Sequence, residues 1–203
     1  MALKAVFFDV GETLVDEERW WRLMAERAGV EPHALWAALG VTIERVEEHT
    51  ALWGHLGVER PDAWDELIYD ASDLYPDALA CLDAVRSLGL LVGLAGNQNA
   101  ALEEWARTAG LPVDMITSSD SLGVRKPDRR FFARLLELAG CAAPELAYVG
   151  DRVDNDVLPA ARAGMIAVHV RHGPWGRLQR TPPEAALTVD RLSELPAALA
   201  ALT

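Results

Sequence analysis

The feature that most constrains this chain is the apolar run at residues 3–8, which ends in Asp9 and continues as Val10-Gly11-Glu12-Thr13-Leu14. A short run of this kind, apolar apart from Lys4, reads as a strand buried on both faces. The acidic break and the glycine mark where the strand stops and the passage to a helix begins. Asp9 is thereby placed at the carboxyl end of a buried strand, the edge at which open parallel α/β sheets bind ligands. A carboxylate there can serve as nucleophile, as metal ligand or as both. A plainer role, capping the following helix, is also open from this stretch alone.

Beyond residue 75 helical patterns alternate with short apolar runs. Helices are expected over 77–87, 99–109, from Pro127 onward, over 156–163 and over 193–202; strands over 90–95, 115–117, 146–149, 166–170 and, weakly, 187–189. This alternation predicts an α/β fold, a doubly wound parallel sheet with helices on both faces. The Gly-, Pro- and Arg-rich stretch 171–183 reads as a loop.

Residues 16–74 differ, with no convincing strand. Helices are expected over 17–28 (Trp20, Leu23, Met24 and Arg27 at helical spacing) and 32–48 (Leu35, Leu39, Ile43 and Val46), with a third opened by Pro61 and carrying Trp64, Leu67 and Ile68. Trp20, Trp21, Trp36, Trp53 and Trp64 all fall in this insert, and a small helical unit needs such side chains as its core.

The formal net charge of −12 argues against partners that present a phosphate backbone or an anionic membrane surface. The insert is the most acidic part, with fourteen Asp and Glu against five Arg and no Lys. Apolar runs are too short to span a bilayer and the beginning lacks the layout of a signal peptide, so a cytoplasmic location is expected. Cys81 and Cys141 have neither metal nor redox spacing and read as reduced thiols.

Three strand ends deliver polar groups to one sheet edge: Asp9, Asn97, and Asp151 with Asp154 and Asp156 just beyond. Clustered carboxylates repel each other unless a cation lies between them. Mg²⁺ suits such a set, because it takes a few protein oxygens and keeps its other positions for water and phosphate. Lys126, one of only two lysines, sits just before the Pro127 helix, where a fixed positive charge would let a carboxylate nucleophile and a phosphoryl group lie side by side.

Taken together, these segments resemble the haloacid dehalogenase (HAD) superfamily of hydrolases over nearly the whole chain. Four motifs appear in order: Phe8-Asp9-Val10-Gly11-Glu12-Thr13-Leu14, Leu94-Ala95-Gly96-Asn97, Arg125-Lys126-Pro127-Asp128, and Val149-Gly150-Asp151-Arg152-Val153-Asp154-Asn155-Asp156. The resemblance implies a Rossmann-like core formed by 1–15 and 75–203, with an α-helical cap at 16–74. It implies that Asp9 is the nucleophile of an aspartyl intermediate and that Lys126 pairs with it. Asp151 and Asp156 would hold Mg²⁺ together with Asp9 and the main-chain carbonyl of Gly11, and Thr13 would order the first loop.

Two positions depart from the family's phosphatases. Their acid/base Asp, two residues after the nucleophile, is Gly11 here, and their Ser or Thr at the second motif is Gly96. Asn97 can donate to phosphoryl oxygen in place of the missing hydroxyl, and Glu12 is the adjacent candidate for the missing proton-transfer group. The expectation is therefore a Mg²⁺-dependent hydrolase of a small phosphorylated metabolite, slow or restricted to good leaving groups, and either monomeric or a homodimer. Metal-independent carbon–halogen cleavage and a catalytically impaired binding protein are the alternatives. Arg19, Arg22 and Arg45 are candidate contacts for a substrate carboxylate.

Overall fold

The computed structural model describes residues 2–62 and 68–202. The first strand, β1 (Ala5–Phe8), is buried at every position. Its side chains alternate between faces. Val6 and Phe8 pack with Leu82, Val85 and Leu195 on one side; Ala5 and Phe7 pack with Phe131, Phe132 and Tyr148 on the other. A strand covered on both faces calls for parallel neighbours joined by crossover helices.

The sheet meets that demand. Strands β2 (Leu91–Gly96), β3 (Met115–Ser118), β4 (Leu146–Gly150), β5 (Ile166–Val170) and β6 (Leu187–Val189) complete a six-stranded, all-parallel sheet in the order β3-β2-β1-β4-β5-β6. The chain builds outward from β1 to β3 and then returns to β4 on the opposite flank of β1. The direction of winding therefore reverses at β1, and the crevice beyond the carboxyl ends of β1 and β4 is where such a sheet receives a ligand.

Between β1 and β2 lie α1 (Glu18–Ala28), α2 (Pro32–Glu44), α3 (Ala51–Leu56) and α4 (Ala78–Ser87). Among the described residues the further α-helices are α5 (Ala100–Thr108), α6 (Ser119–Leu122), α7 (Arg129–Ala139), α8 (Leu158–Arg162), α9 (Gly173–Leu178) and α10 (Leu195–Ala200). The first three helices bury a cluster of their own, in which Trp20, Trp21 and Trp53 are buried and Trp36 is partly so. The segment that enters them and the segment that leaves run side by side: Val15 bridges Leu74, and the Asp16 N–H donates to the Asp73 carbonyl at 2.8 Å.

Several local expectations are corrected. Helix α2 stops at Glu44, so Val46 does not complete its apolar stripe; it has φ 55° and is 74% exposed. The expected helix from Pro61 on Trp64 and Leu67 falls outside the described residues. Residues 171–183 are not all loop, since α9 forms there with Pro174 in its first turn, a position that does not need the missing N–H. Its Trp175 is buried in the cluster of the first three helices, 6.2 Å from Trp21 between ring centres. Residues Val153–Val157 form a wide π-type turn before α8. Among the described residues no helix is long and apolar enough to cross a membrane.

Candidate functional site

Parallel pairing sets the site's first distances. Phe8 is in register with Val149 of β4 and Leu94 of β2, so Asp9, one residue on, emerges beside the ends of both. The Asp9 N–H donates to the Val149 carbonyl at 2.8 Å, which extends the ladder by one rung and fixes where its side chain starts.

Lys126 reaches this point from the loop after α6. Its ammonium lies 2.9 Å from Asp9 Oδ2 and 2.6 Å from Asp156 Oδ1, and its side chain is only 1% exposed. It also stands 5.4 Å over the ring of Tyr148, whose hydroxyl donates to the Ala95 carbonyl at 2.7 Å. Burial works against the charge on Lys126, but Asp156 and Asp9 beside it win and hold the ammonium well above its ordinary pKa. The loop is held by Asn97. Its Oδ1 accepts from the Lys126 N–H at 2.7 Å and its Nδ2 donates to the Lys126 carbonyl at 2.9 Å. Asn97 thus clamps the lysine's main chain.

Among the described residues, one group of carboxylates could hold a metal ion: Asp9, Asp151 and Asp156, all buried, each offering an oxygen within 4.8 Å of the others. Burial, followed by Asp156 and Asp9, raises Asp151 well above the usual carboxylate range. Burial likewise pushes Asp156 up to about 6 against the opposing pull of Lys126. One Asp151 oxygen accepts weakly from Thr13 Oγ1 at 3.4 Å, whereas its Oδ2 is buried with no hydrogen-bond partner. A buried carboxylate oxygen left unpaired is costly, and a cation in the triad would remove that cost. Thr13 is itself held, because His172 Nδ1 donates to its carbonyl at 3.3 Å, and His169 Nε2 donates to the Asp151 carbonyl at 3.1 Å. Neither histidine stands at a ligand spacing in the sequence.

Both glycine departures are filled by carboxylates. A Cβ built on Gly96 would lie 2.6 Å from Asp9 Oδ1. One built on Gly11 would lie 2.3 Å from Oε1 of Glu17, the residue just before α1. Tyr69 donates a short hydrogen bond to that same Oε1. Burial, only partly offset by Tyr69, pushes Glu17 up to about 7. Glu12 has φ 53° and turns elsewhere: its Oε2 accepts from the Tyr75 hydroxyl at 2.8 Å, and its carboxyl stands against Gly173 at the start of α9. Burial and then Glu17 push Glu12 up to about 8.

These groups open onto a cavity of about 450 Å³ lined by Asp9, Glu17, Trp21, His49, Arg125 and Arg152, among others. Arg152 stacks 5.0 Å from the ring centre of Trp175 and pairs with Asp154 at 2.6 Å, and Gln179 Nε2 donates to the same Asp154 at 2.8 Å. Asp154 is thus engaged by Arg152 and Gln179. The arginines singled out from the sequence are not in the cavity wall: Arg19 pairs with Asp73, Arg22 with Glu18, and Arg45 is exposed. Glu17, Arg152 and Trp175 were not anticipated as wall residues. The one signal for Arg152 is its place inside the last acidic motif.

Known proteins resemble this chain. The family model for haloacid dehalogenase-like hydrolases matches residues 3–164. A glyceraldehyde 3-phosphate phosphatase of Methanopyrus kandleri is 32% identical over 105 residues, covering 50% of this chain and 45% of that protein. A phosphoserine phosphatase of Thermus thermophilus is 38% identical over 127 residues, covering 60% and 49%. The chain thus spans about half the length of these two relatives. The L-2-haloacid dehalogenase of Xanthobacter autotrophicus, solved with chloropropionic acid covalently bound, superposes with a TM-score of 0.72 at 19% identity over 99% of this chain and 100% of the other, a likeness of fold. With four motifs at the ends of a matching sheet and a family match over most of its length, the chain belongs to the haloacid dehalogenase-like hydrolases.

Proposed function

We propose that this chain hydrolyses a small phosphoric monoester, with Mg²⁺, through an aspartyl-phosphate at Asp9. The observation that carries this reading is the pairing of Asp9 with the buried Lys126 beside a carboxylate triad that has one orphaned oxygen. Two relatives bear the names of phosphatases of three-carbon phosphates, and the cavity of about 450 Å³ is of a size for substrates of that class.

In this mechanism an Asp9 carboxylate oxygen attacks phosphorus, the bond to the leaving oxygen breaks, and that oxygen takes up a proton. Water then attacks the phosphoryl group and frees Asp9. Lys126 holds Asp9 in place and offsets the negative charge that builds up as the two anions meet. Asp9, Asp151 and Asp156, with the Gly11 carbonyl, are the groups that would hold Mg²⁺, which supplies charge neutralisation to the phosphoryl oxygens when bound. Thr13 supports Asp151. Asn97 fixes the lysine loop and retains one amide hydrogen for a phosphoryl oxygen. Residues 16–74 act as the cap, closing the cavity with Trp21 and His49.

The reading is tested with p-nitrophenyl phosphate, with and without Mg²⁺, for the wild type and Asp9→Asn. Metal-dependent turnover that disappears in the variant is expected. Chloride release from 2-chloropropionate that survives EDTA, with no phosphatase activity, would move the reaction to carbon–halogen cleavage.

A further inference from the structure

Resting on that reading, we propose that Glu17 supplies the acid/base carboxyl that position 11 lacks, delivering it from the first residues of the helical insert. A proton donor for the leaving oxygen has to stand over Asp9, on the side from which substrate enters. A side chain on residue 11 would grow into the space that the carboxyl of Glu17 holds, and Asp9, Gly11 and Glu17 line one cavity. The Gly11 Cβ position lies 2.3 Å from its Oε1, 2.9 Å from its Cδ and 3.4 Å from its Oε2. An aspartate at 11 would place its carboxyl carbon one bond beyond that Cβ, in the volume that Glu17 already fills.

The substitution is therefore reciprocal. Any side chain at position 11 would evict Glu17, and Glu17 can lie there only because residue 11 is glycine. Its direction is fixed from two sides. The Glu17 carbonyl accepts from the Trp21 N–H at 2.9 Å as α1 begins, and its Oε1 accepts from the hydroxyl of Tyr69, which is 4% exposed and packs edge-on against Trp105. Glu17 and Asp9 both line the cavity. Glu12 does not fill the role, because its carboxyl is drawn to Tyr75 and lies against Gly173.

In the forward step the carboxylic acid of Glu17 gives its proton to the leaving oxygen as the phosphorus–oxygen bond breaks. The resulting carboxylate then takes a proton from the water that attacks the phosphoryl-aspartate, which returns Glu17 to its starting form. Because this carboxyl belongs to the insert, proton transfer is available only while the insert lies over the core.

The test uses the full chain with Mg²⁺ and two substrates: glycerol 2-phosphate, whose alkoxide needs a proton to leave, and p-nitrophenyl phosphate, whose phenolate does not. In Glu17→Gln, glycerol 2-phosphate turnover should fall by about 10²–10⁴-fold, the usual weight of a positioned proton-transfer group. With p-nitrophenyl phosphate the variant should still release a burst of p-nitrophenolate and then turn over slowly, because phosphorylation of Asp9 needs no acid whereas its hydrolysis needs a base. The double variant Gly11→Asp, Glu17→Ala should recover much of the glycerol 2-phosphate activity lost in Glu17→Ala alone, which a purely structural role for Glu17 would not allow.

Equal losses on both substrates without a burst, or no recovery in a folded double variant, would overturn the assignment. Unchanged turnover in Glu17→Gln, together with loss in Asp9→Asn, would overturn Glu17 and leave the nucleophile standing. Turnover that survives Asp9→Asn, or a wild type inert towards both phosphates, would overturn the nucleophile and the Glu17 assignment together.

Discussion

Lys126→Met tests whether one buried cation holds the site together. The replacement keeps most of the side chain's length and removes its charge. Lys126 faces two carboxylates at 2.9 and 2.6 Å; Asp156 is fully buried and the Asp9 side chain is 11% exposed. Removing one partner of a buried ion pair costs about 3–5 kcal/mol, because the remaining charge is left uncompensated. Two carboxylates are stranded here, although Asp9 recovers some hydration, so about 4 kcal/mol is expected. For a chain of this length each kcal/mol is worth about 2–4 °C, so the melting temperature should fall by roughly 10 °C. Urea unfolding with and without Mg²⁺ gives the value directly. Mg²⁺ should protect the variant more than it protects the wild type, since the ion would supply the missing positive charge, and adding Asp156→Asn to Lys126→Met should recover part of the loss. A loss below about 1 kcal/mol, the scale of a surface pair, would refute the idea that this ammonium is the counter-charge of the site.

Gly96→Ala should lower kcat by about 10–100-fold and also lower stability, because it disturbs the buried Asp9–Lys126 pair. The new Cβ would lie 2.6 Å from Asp9 Oδ1 and must turn that carboxylate away from Lys126; an unchanged kcat on p-nitrophenyl phosphate would show that Asp9 accommodates it freely. His49 gives a pH signature of its own. Burial, then Arg152, Arg60 and Arg125, hold its pKa down to about 4, below the ordinary histidine value of about 6.5. Between those values the unfolded chain binds the proton and the folded chain does not. The contribution is therefore complete above pH ~6.5 and is lost as pH falls towards about 4. Relative to His49→Asn, the wild type should lose about 2–3 kcal/mol across that window, and parallel stability curves for the two proteins would refute the assignment.

Much of the scaffold was legible because it is written locally. All six strands lie on the short runs read as strands, and β1, β2, β4 and β5, buried at all or nearly all positions, carry that pattern without reference to the rest of the chain. The strand ends also announced Asp9, Asn97 and Asp151, since an acid or amide after such a run has to emerge at the sheet edge. Lys126 was legible as one of two lysines, set before a proline that opens toward a helix. Less could be read where the outcome depends on which surface lies opposite. Val46 looked like the next residue of an apolar stripe, but α2 ends before it and leaves it 74% exposed. Trp175 sat in a stretch read as loop, and only the folded chain brings it against Trp21.

The sequence by itself determined the sheet, the order in which its strand ends deliver chemistry, and the absence of a side chain at positions 11 and 96. Only the tertiary structure decided what occupies those two spaces: the Asp9 carboxylate at one and Glu17 at the other. Strand burial is a property of neighbouring residues and leaves a periodic trace. The filling of a vacant position depends instead on where the chain returns after leaving the sheet. That path is set here by the pairing of Val15 with Leu74 and by the hydrogen bond from Tyr69, which comes from the far side of the insert.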